Sequence, residues 1–290
     1  MTSWYGMSPE EIERGYNNRA AVPDHPQWFA RWGELSARAF ATEHVLRDLR
    51  FGPGPKETLD LFLPRGAARG TFLFLHGGWW RSLDKDVHAL VAPPLTAQGI
   101  AVAVANYDLC PQVTIADIVE EASRAVAWIA REGPKHGTPA RPLVVGGHSA
   151  GGQLAAMMLA RDWTREGFGA HPVAGAVSLS GVHDLRPLVH FSANVDLNLD
   201  DAEAARLSPV QLAPACDAPI VIAVGGRETG EFLRQADLLW EAWPRNRPRG
   251  MPGPLVIPDR HHFDVVVDHA EAGSALTRAT LALFDGRRAV

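Results

Sequence analysis

The stretch that most constrains this fold runs from residue 142 to residue 160 and reads PLVVGGHSAGGQLAAMMLA. A short apolar run ends in two glycines, Ser149 follows one residue later, and a second apolar run begins soon after. Glycine weakens strands and helices alike, so four glycines around one serine indicate a backbone under geometric constraint. A strand, a sharp turn and a helix form the setting in which G-x-S-x-G exposes a nucleophilic serine, because side chains at Gly147 and Gly151 would collide across the turn.

Two other interpretations of this stretch explain less. A tight turn with an incidental serine leaves the buried runs on both sides of the glycines without a reason. A phosphate-binding loop has the spacing of Gly146 and Gly151, but Gly152 stands where that motif requires a lysine. A G-x-G-x-x-G dinucleotide fingerprint is also absent from this stretch.

Apolar runs of strand length alternate with helical patterns along the 290 residues. A helix is predicted after Thr114, because Thr114 and Asp117 form a capping box, apolar residues recur on one face, and Gly133-Pro134 ends the pattern. Strand and helix in alternation predict a mostly parallel sheet with helices on both faces, in one domain spanning residues 1–290. The eight strands are expected at residues 44–52, 57–64, 70–78, 99–107, 142–147, 173–181, 218–226 and 254–258.

Two segments depart from this alternation. Residues 1–40 precede the first strand and carry several tryptophans, and residues 182–216 separate two strands without a regular pattern. Both are expected at one end of the sheet. They are either surface elaborations held by their aromatic residues or a small cap that shapes a substrate pocket.

Composition excludes several classes of protein. A net charge of −5 and an isoelectric point near 6.2 give no basic footprint for nucleic acid. No run of 18 apolar residues predicts a membrane span, and the start of the chain shows no signal-peptide pattern. Cys110 and Cys216 are too few for a disulfide framework. We therefore expect a soluble cytoplasmic protein that binds neither nucleic acid nor membrane.

A serine nucleophile requires a base, and the base requires an acid that orients it. In folds with this type of turn they follow in the order serine, acid, histidine. The segment PDRHHFD follows the last predicted strand and offers His261 and His262, of which one is expected to face the site. After the strand at 218–226, Glu228 is the preferred acid, and the alternatives are Glu231, Asp259 and Asp264.

The loop after the third strand reads HGGWW and predicts an oxyanion hole. Glycines there allow the backbone N–H groups to approach a tetrahedral intermediate. The expected donors are Gly78 and Trp79, with Gly77 in the same loop, and Ala150 after the serine. The alternative is a simple turn with a hydrophobic plug.

These segments resemble the arylformamidase (kynurenine formamidase) branch of the hormone-sensitive-lipase-like α/β hydrolases, whose oxyanion motif is HGG, an aromatic residue and tryptophan. The resemblance rests on HGGWW, GHSAGG and HHFD and extends along most of the chain. It implies an α/β-hydrolase fold and a triad of Ser149, Glu228 and His262. The chain departs from the family where Trp79 replaces the usual tyrosine, Glu228 stands for the usual aspartate, and His261 precedes the matching histidine.

The resemblance implies hydrolysis of a small aryl formamide such as N-formylkynurenine, with a carboxylesterase for small acyl or aryl esters as the alternative. A non-catalytic receptor on the same fold is disfavoured, since every triad candidate is present. An aromatic substrate suits a pocket of aromatic side chains, although the tryptophans among them fit a core equally well; the candidates are Trp79, Trp80, Tyr107 and Trp163.

No metal or organic cofactor is expected, because the chain has no H-E-x-x-H pattern and the serine mechanism is complete without one. The expected partner is a small aromatic substrate, and a homodimer stays open as the assembly. Arg81 is a nearby candidate for holding a substrate carboxylate.

Overall fold

The computed structural model describes residues 6–285, so the first five residues of the predicted N-terminal segment lie outside the described part. Eight strands form one sheet: β1 (His44–Arg50), β2 (Thr58–Leu63), β3 (Gly70–Leu75), β4 (Ile100–Ala105), β5 (Leu143–His148), β6 (Val173–Leu179), β7 (Ile220–Gly225) and β8 (Leu255–Ile257). All eight strands predicted from the sequence are present. Their ends differ from the predicted bounds by a few residues, because turn residues at both ends leave the ladder.

The sheet order is β1-β2-β4-β3-β5-β6-β7-β8. The pairs β1/β2 and β2/β4 are antiparallel, and every other pair is parallel. The chain winds from β3 outward to β4 and then returns across β3 to β5. Loops after β3 and β5 therefore leave the sheet in opposite directions, and a crevice forms between them at the carboxyl ends of these two strands.

Ten α-helices occur within the described residues: α1 (Pro9–Tyr16), α2 (Asn18–Ala21), α3 (His25–Thr42), α4 (Ala92–Thr96), α5 (Ile115–Arg131), α6 (Ala150–Ala160), α7 (Asn194–Leu197), α8 (Asp201–Arg206), α9 (Gly230–Ala242) and α10 (Ala275–Asp285). Helix α5 begins at the predicted capping box, in which Thr114 and Asp117 exchange hydrogen bonds. Its apolar face belongs to a core shared with α6 and α9, whereas α3, α4 and α10 contribute to the core on the opposite face of the sheet. The prediction of a mostly parallel sheet flanked by helices is confirmed.

The two irregular segments both reach the crevice side of the sheet. Helix α1 packs against α9 and against the short 3-10 helix Arg186–His190. Tyr16, at the end of α1, is fully buried, and its hydroxyl accepts a hydrogen bond from Gln235 Nε2 at 2.8 Å. The N-terminal helices are thus anchored to the domain by buried polar and aromatic contacts.

Candidate active site

The turn between β5 and α6 holds Ser149 in a strained conformation, with φ of 55° and ψ of −115°. Such a φ is rare for a residue with a side chain and persists only where its surroundings enforce it. A Cβ added at Gly147 would lie 2.2 Å from the Gly151 carbonyl oxygen, and one at Gly151 would lie 2.0 Å from that of Leu75. Gly147 and Gly151 therefore let the turn close on itself and on the end of β3, so both positions require glycine.

Glu228 and His262 meet beside this turn. The His262 Nδ1 lies 2.7 Å from Glu228 Oε2, and both side chains are almost completely buried. A carboxylate accepts hydrogen bonds, so this contact assigns the proton to Nδ1 and leaves Nε2 as a proton acceptor. His262 and Ser149 line the same cavity, although no hydrogen bond joins the Ser149 hydroxyl to the ring in the described residues. In unliganded enzymes this contact is often long and shortens when substrate binds.

Glu228 is held in place by groups that sequence reasoning did not single out. Its Oε1 accepts hydrogen bonds from the Ser180 hydroxyl at 2.5 Å and from the Gly225 N–H at 2.8 Å. Ser180 follows β6 with φ of 51°. A serine directly after a buried strand was the available signal, but nothing in the sequence indicates that it faces a glutamate 48 positions later.

The alternative acids and the neighbouring histidine are occupied elsewhere. Glu231 lies in the first turn of α9 and pairs with Arg234 at 2.7 Å. Asp264 accepts a hydrogen bond from the backbone N–H of His261 at 2.6 Å. The ring of His261 packs edge-on against Trp28. The arrangement therefore favours Glu228 and His262, as the sequence analysis does, and no hydrogen bond or ion pair joins Asp259 to His262 among the described residues.

The loop after β3 lies against the serine turn. A Cβ at Gly77 would come within 2.9 Å of the His148 carbonyl oxygen, so only glycine permits this approach. Gly78 has φ of 105°, and Trp79 and Trp80 have φ of 55° and 53°. The amide N–H groups of Gly78, Trp79 and Ala150 have no acceptor among the described residues. They are thus free to donate to an oxyanion above Ser149.

A cavity of about 250 Å³ opens above these groups. This volume is slightly below the usual range for ligand pockets and suits a small substrate. The Trp79 ring lines it and packs on Phe191 at 5.0 Å between ring centroids. The remaining wall comes mainly from the two irregular segments and includes Asn17, Asn18, Arg19, Phe29, Trp32, Ser192 and Asp196.

The prediction that Trp80, Tyr107 and Trp163 line the pocket is wrong. Trp80 is fully buried in the core. Tyr107 is fully buried behind the oxyanion loop, where its hydroxyl donates to the His76 carbonyl at 2.7 Å. Trp163 follows the far end of α6, about 16 Å from Ser149 at the rise of an α-helix, and bonds the Met158 carbonyl. Glycine-rich motifs in the sequence locate a loop, but they do not show which aromatic side chains face the cavity and which face the core.

Buried neutral histidines lie behind the site. Burial lowers the pKa of His76 to about 3 and that of His88 to about 4, because the charged form loses its hydration. Burial also lowers the pKa of His148 well below its ordinary value. The His148 Nε2 lies 2.9 Å from the carbonyl oxygen of His262 and donates to it, so this ring helps to hold the loop that carries His262.

Within residues 6–285 there is no cluster of three or more His, Cys, Asp or Glu side chains suited to a metal ion. None of the helices described there has the length and hydropathy that a bilayer crossing requires. Cys110 and Cys216 are both free thiols.

A sheet of this order, with its site at the carboxyl ends of β3 and β5, defines the class of α/β hydrolases. A family model described as alpha/beta hydrolase fold matches residues 72–218. The kynurenine formamidase of Salmo salar is 27% identical over 98% of this chain and 99% of its own length. That of Drosophila melanogaster is 31% identical, covering 79% of this chain and 78% of its own.

A solved structure from a Silicibacter species, provisionally assigned as a thioesterase, is 34% identical with a TM-score of 0.81 and covers 92% of this chain and 97% of its own. The chain belongs to the α/β hydrolase family, in the branch that contains the kynurenine formamidases. It is therefore an enzyme of the hydrolase class.

Proposed function

We propose that this enzyme is a serine hydrolase that cleaves a small aryl formamide, such as N-formylkynurenine, to formate and an arylamine. The observation that carries the proposal is the Glu228–His262 hydrogen bond beside the strained Ser149, under an oxyanion loop with free N–H groups. Its substrate class is supported by likeness to kynurenine formamidases over nearly the whole chain.

In the first half-reaction, His262 Nε2 takes the Ser149 proton while Oγ attacks the formyl carbon. The oxyanion that forms accepts hydrogen bonds from the amides of Gly78, Trp79 and Ala150. Glu228 holds the ring through Nδ1 and stabilises the imidazolium. The C–N bond then breaks, and the proton on His262 goes to the departing arylamine.

In the second half-reaction, His262 activates a water that attacks the formyl-enzyme. The Ser149 ester bond breaks, the proton returns to Ser149, and formate leaves. A formyl group is the smallest acyl group, which agrees with a cavity of about 250 Å³. We further propose that residues 1–40 and 182–216 act as the cap, since the described residues of both segments supply cavity walls next to Trp79.

The decisive measurement compares kcat/KM for N-formylkynurenine with that for p-nitrophenyl acetate. A preference for the formamide by at least tenfold is expected. Labelling with a serine-directed organophosphate, followed by peptide mass analysis, is expected to modify Ser149. Labelling at another residue, or a clear preference for the ester, contradicts the proposal.

A small-ester or thioester hydrolase is the second candidate. It is favoured by the 34% identical neighbour that is provisionally assigned as a thioesterase. Ester, thioester and activated amide share the same attack by serine, so the choice depends on the cavity wall and the leaving group. The same substrate panel separates the two candidates.

A further inference from the structure

We infer that Arg19 is a specificity-determining residue that binds the carboxylate of an amino-acid substrate at the active-site cavity. This inference rests on the proposed function and assigns a group on the enzyme to the part of the substrate remote from the formyl carbon. Arg19 lies on α2 in the N-terminal segment and lines the same cavity as Ser149 and His262.

Arg19 is a cation without an anionic partner. Among the described residues it forms no ion pair and no side-chain hydrogen bond, and its guanidinium lies 5.8 Å above the centre of the Phe29 ring. Phe29 also lines the cavity. A cation–π contact occupies none of the guanidinium N–H groups with an acceptor oxygen, so they remain able to bind a carboxylate bidentately.

The neighbouring residue supplies a second donor that lacks an acceptor. Asn18 lines the cavity and is 3% exposed, and its side-chain Nδ2 is buried with no hydrogen-bond partner among the described residues. Buried donors are normally paired, so this amide is an unsatisfied donor directly before Arg19 in the chain. Arg19 is the exposed member of this pair and is the group that a carboxylate in the cavity can reach.

Arg81, the candidate that the sequence suggested, is already paired. Its guanidinium bonds the Asp196 carboxylate of α7 within the same cavity wall. Arg19, Arg81 and Asp196 are the charged residues other than histidine that line the cavity, so these three side chains together carry one excess positive charge. That charge is at Arg19, because Arg81 is neutralised, and it favours a substrate with an additional anionic group.

The test uses two matched formamides, N-formylkynurenine and 2-formamidoacetophenone, which share the reacting group and differ in the amino-acid head group. Arg19→Gln is expected to raise KM for N-formylkynurenine about tenfold with kcat nearly unchanged, since it removes a charge-assisted hydrogen bond. Its kcat/KM for 2-formamidoacetophenone is expected to change less than about twofold. Arg19→Lys should recover part of the loss, because it restores the charge without the bidentate geometry.

Arg14→Gln is the matched control. Arg14 is an exposed arginine on α1 outside the cavity, so the variant makes the same change in net charge. It is expected to leave both substrates unaffected. An equal effect of Arg14→Gln, equal losses on the two formamides, or no effect of Arg19→Gln on KM overturns the assignment.

Failure of the proposed function is detected separately. If the wild-type enzyme cleaves p-nitrophenyl acetate but neither formamide, the formamidase proposal fails. The role of Arg19 is then tested by the constants with which kynurenine and 2-aminoacetophenone inhibit hydrolysis of the ester. If the inhibition constant of kynurenine rises about tenfold in Arg19→Gln and that of 2-aminoacetophenone is unchanged, the carboxylate subsite is supported. If the two constants change by the same factor, it is refuted.

Discussion

The floor and the rim of the cavity are built in different ways. The floor comprises Ser149, His262, Glu228 and the loop from Gly77 to Trp79, all placed after the carboxyl ends of strands in the sheet. The rim comprises Arg19, Arg81 and Asp196, placed on short helices and loops of the irregular segments and the oxyanion loop. Floor side chains are nearly all buried, whereas Arg81 and Asp196 are 36% and 34% exposed and Arg19 is exposed.

Under the proposed function, the floor carries out the chemistry and the rim selects the substrate. Glu228 makes three hydrogen bonds with no exposed surface, so its position is fixed before substrate arrives. Arg19 has no ion-pair partner among the described residues and can reorient around a ligand. Changes to the floor should therefore act on kcat, and changes to the rim should act on KM.

The largest effect is expected at the nucleophile. Ser149→Ala should lower kcat by a factor on the order of 10⁶, as is typical for loss of a triad nucleophile. Single-turnover kinetics and thermal unfolding check this prediction together. The melting temperature should stay close to that of the wild type or rise, because alanine keeps the turn and loses only a hydroxyl. Residual turnover above 1% of wild type would place the nucleophile elsewhere.

The next effect concerns the acid. Glu228→Gln should lower kcat by about 10⁴, because an amide can offer an N–H to His262 and favour the wrong tautomer. Glu231→Gln is the matched control and should stay within about twofold of wild type, since Glu231 faces Arg234. Glu228→Asp should also be impaired, because its shorter side chain withdraws the carboxylate by roughly 1.5 Å. A large loss of kcat in Glu231→Gln, with Glu228→Gln close to wild type, would assign the acid to Glu231.

The oxyanion loop provides a comparison within the floor. Gly78→Ala should lower kcat by about 10² to 10³, because a Cβ there would lie 2.2 Å from the Ser82 carbonyl and displace the donor amides. Trp79→Gly keeps the N–H and tolerates φ of 55°, so it should change KM and substrate preference far more than kcat. Steady-state kinetics on the matched formamides distinguish the outcomes, and equal kcat losses would show that the Trp79 ring also positions the donors.

Acid should destabilise the structure behind the floor. The folded-state pKa values of His76, His183 and His269 are about 3 and that of His88 is about 4, all lowered by burial from 6.5. Below pH 6.5 the unfolded chain binds protons that the folded chain does not, so stability falls as the pH drops from about 6.5 towards 4. Each histidine contributes about 1.4 kcal/mol per pH unit in that window. Glu121, whose pKa is raised to about 7 by burial, partly offsets this loss.

The variant His269→Phe measures how much His269 contributes to the loss of stability at low pH. Both ring nitrogens of His269 lack partners among the described residues, and the ring packs against Phe72 and Phe74. Denaturant unfolding at pH 7.5 and pH 5.5 should show a smaller difference in the variant than in the wild type. An unchanged difference would mean that His269 protonates within the fold.

The smallest effect is expected at the rim ion pair. Asp196→Asn should change the free energy of unfolding by less than about 1 kcal/mol, because half-exposed ion pairs contribute little. It frees Arg81, so KM for carboxylate substrates should fall by no more than a few-fold while kcat stays the same. A large loss of kcat would show that this pair holds the oxyanion loop, and the contrast between floor and rim would fail at that point.

Local rules were sufficient for the sheet and for the nucleophile turn. Strands buried on both faces require unbroken apolar runs, and a positive φ at Ser149 requires glycine at the positions where the backbone closes on itself. The choice of Glu228 over Glu231 also follows from local position, since one lies on the loop after β7 and the other begins α9.

Only the tertiary structure decided which side chains reach the cavity. Trp79 lines it and Trp80 is buried in the core, although they are adjacent in sequence and both have positive φ. Ser180, directly after β6, bonds Glu228, and Arg19 approaches from helices that precede the sheet. Side-chain direction and contacts between distant segments depend on how elements pack in three dimensions. Residue type and spacing along the chain do not encode that packing locally, so the sequence determined the chemistry and the fold determined the walls around it.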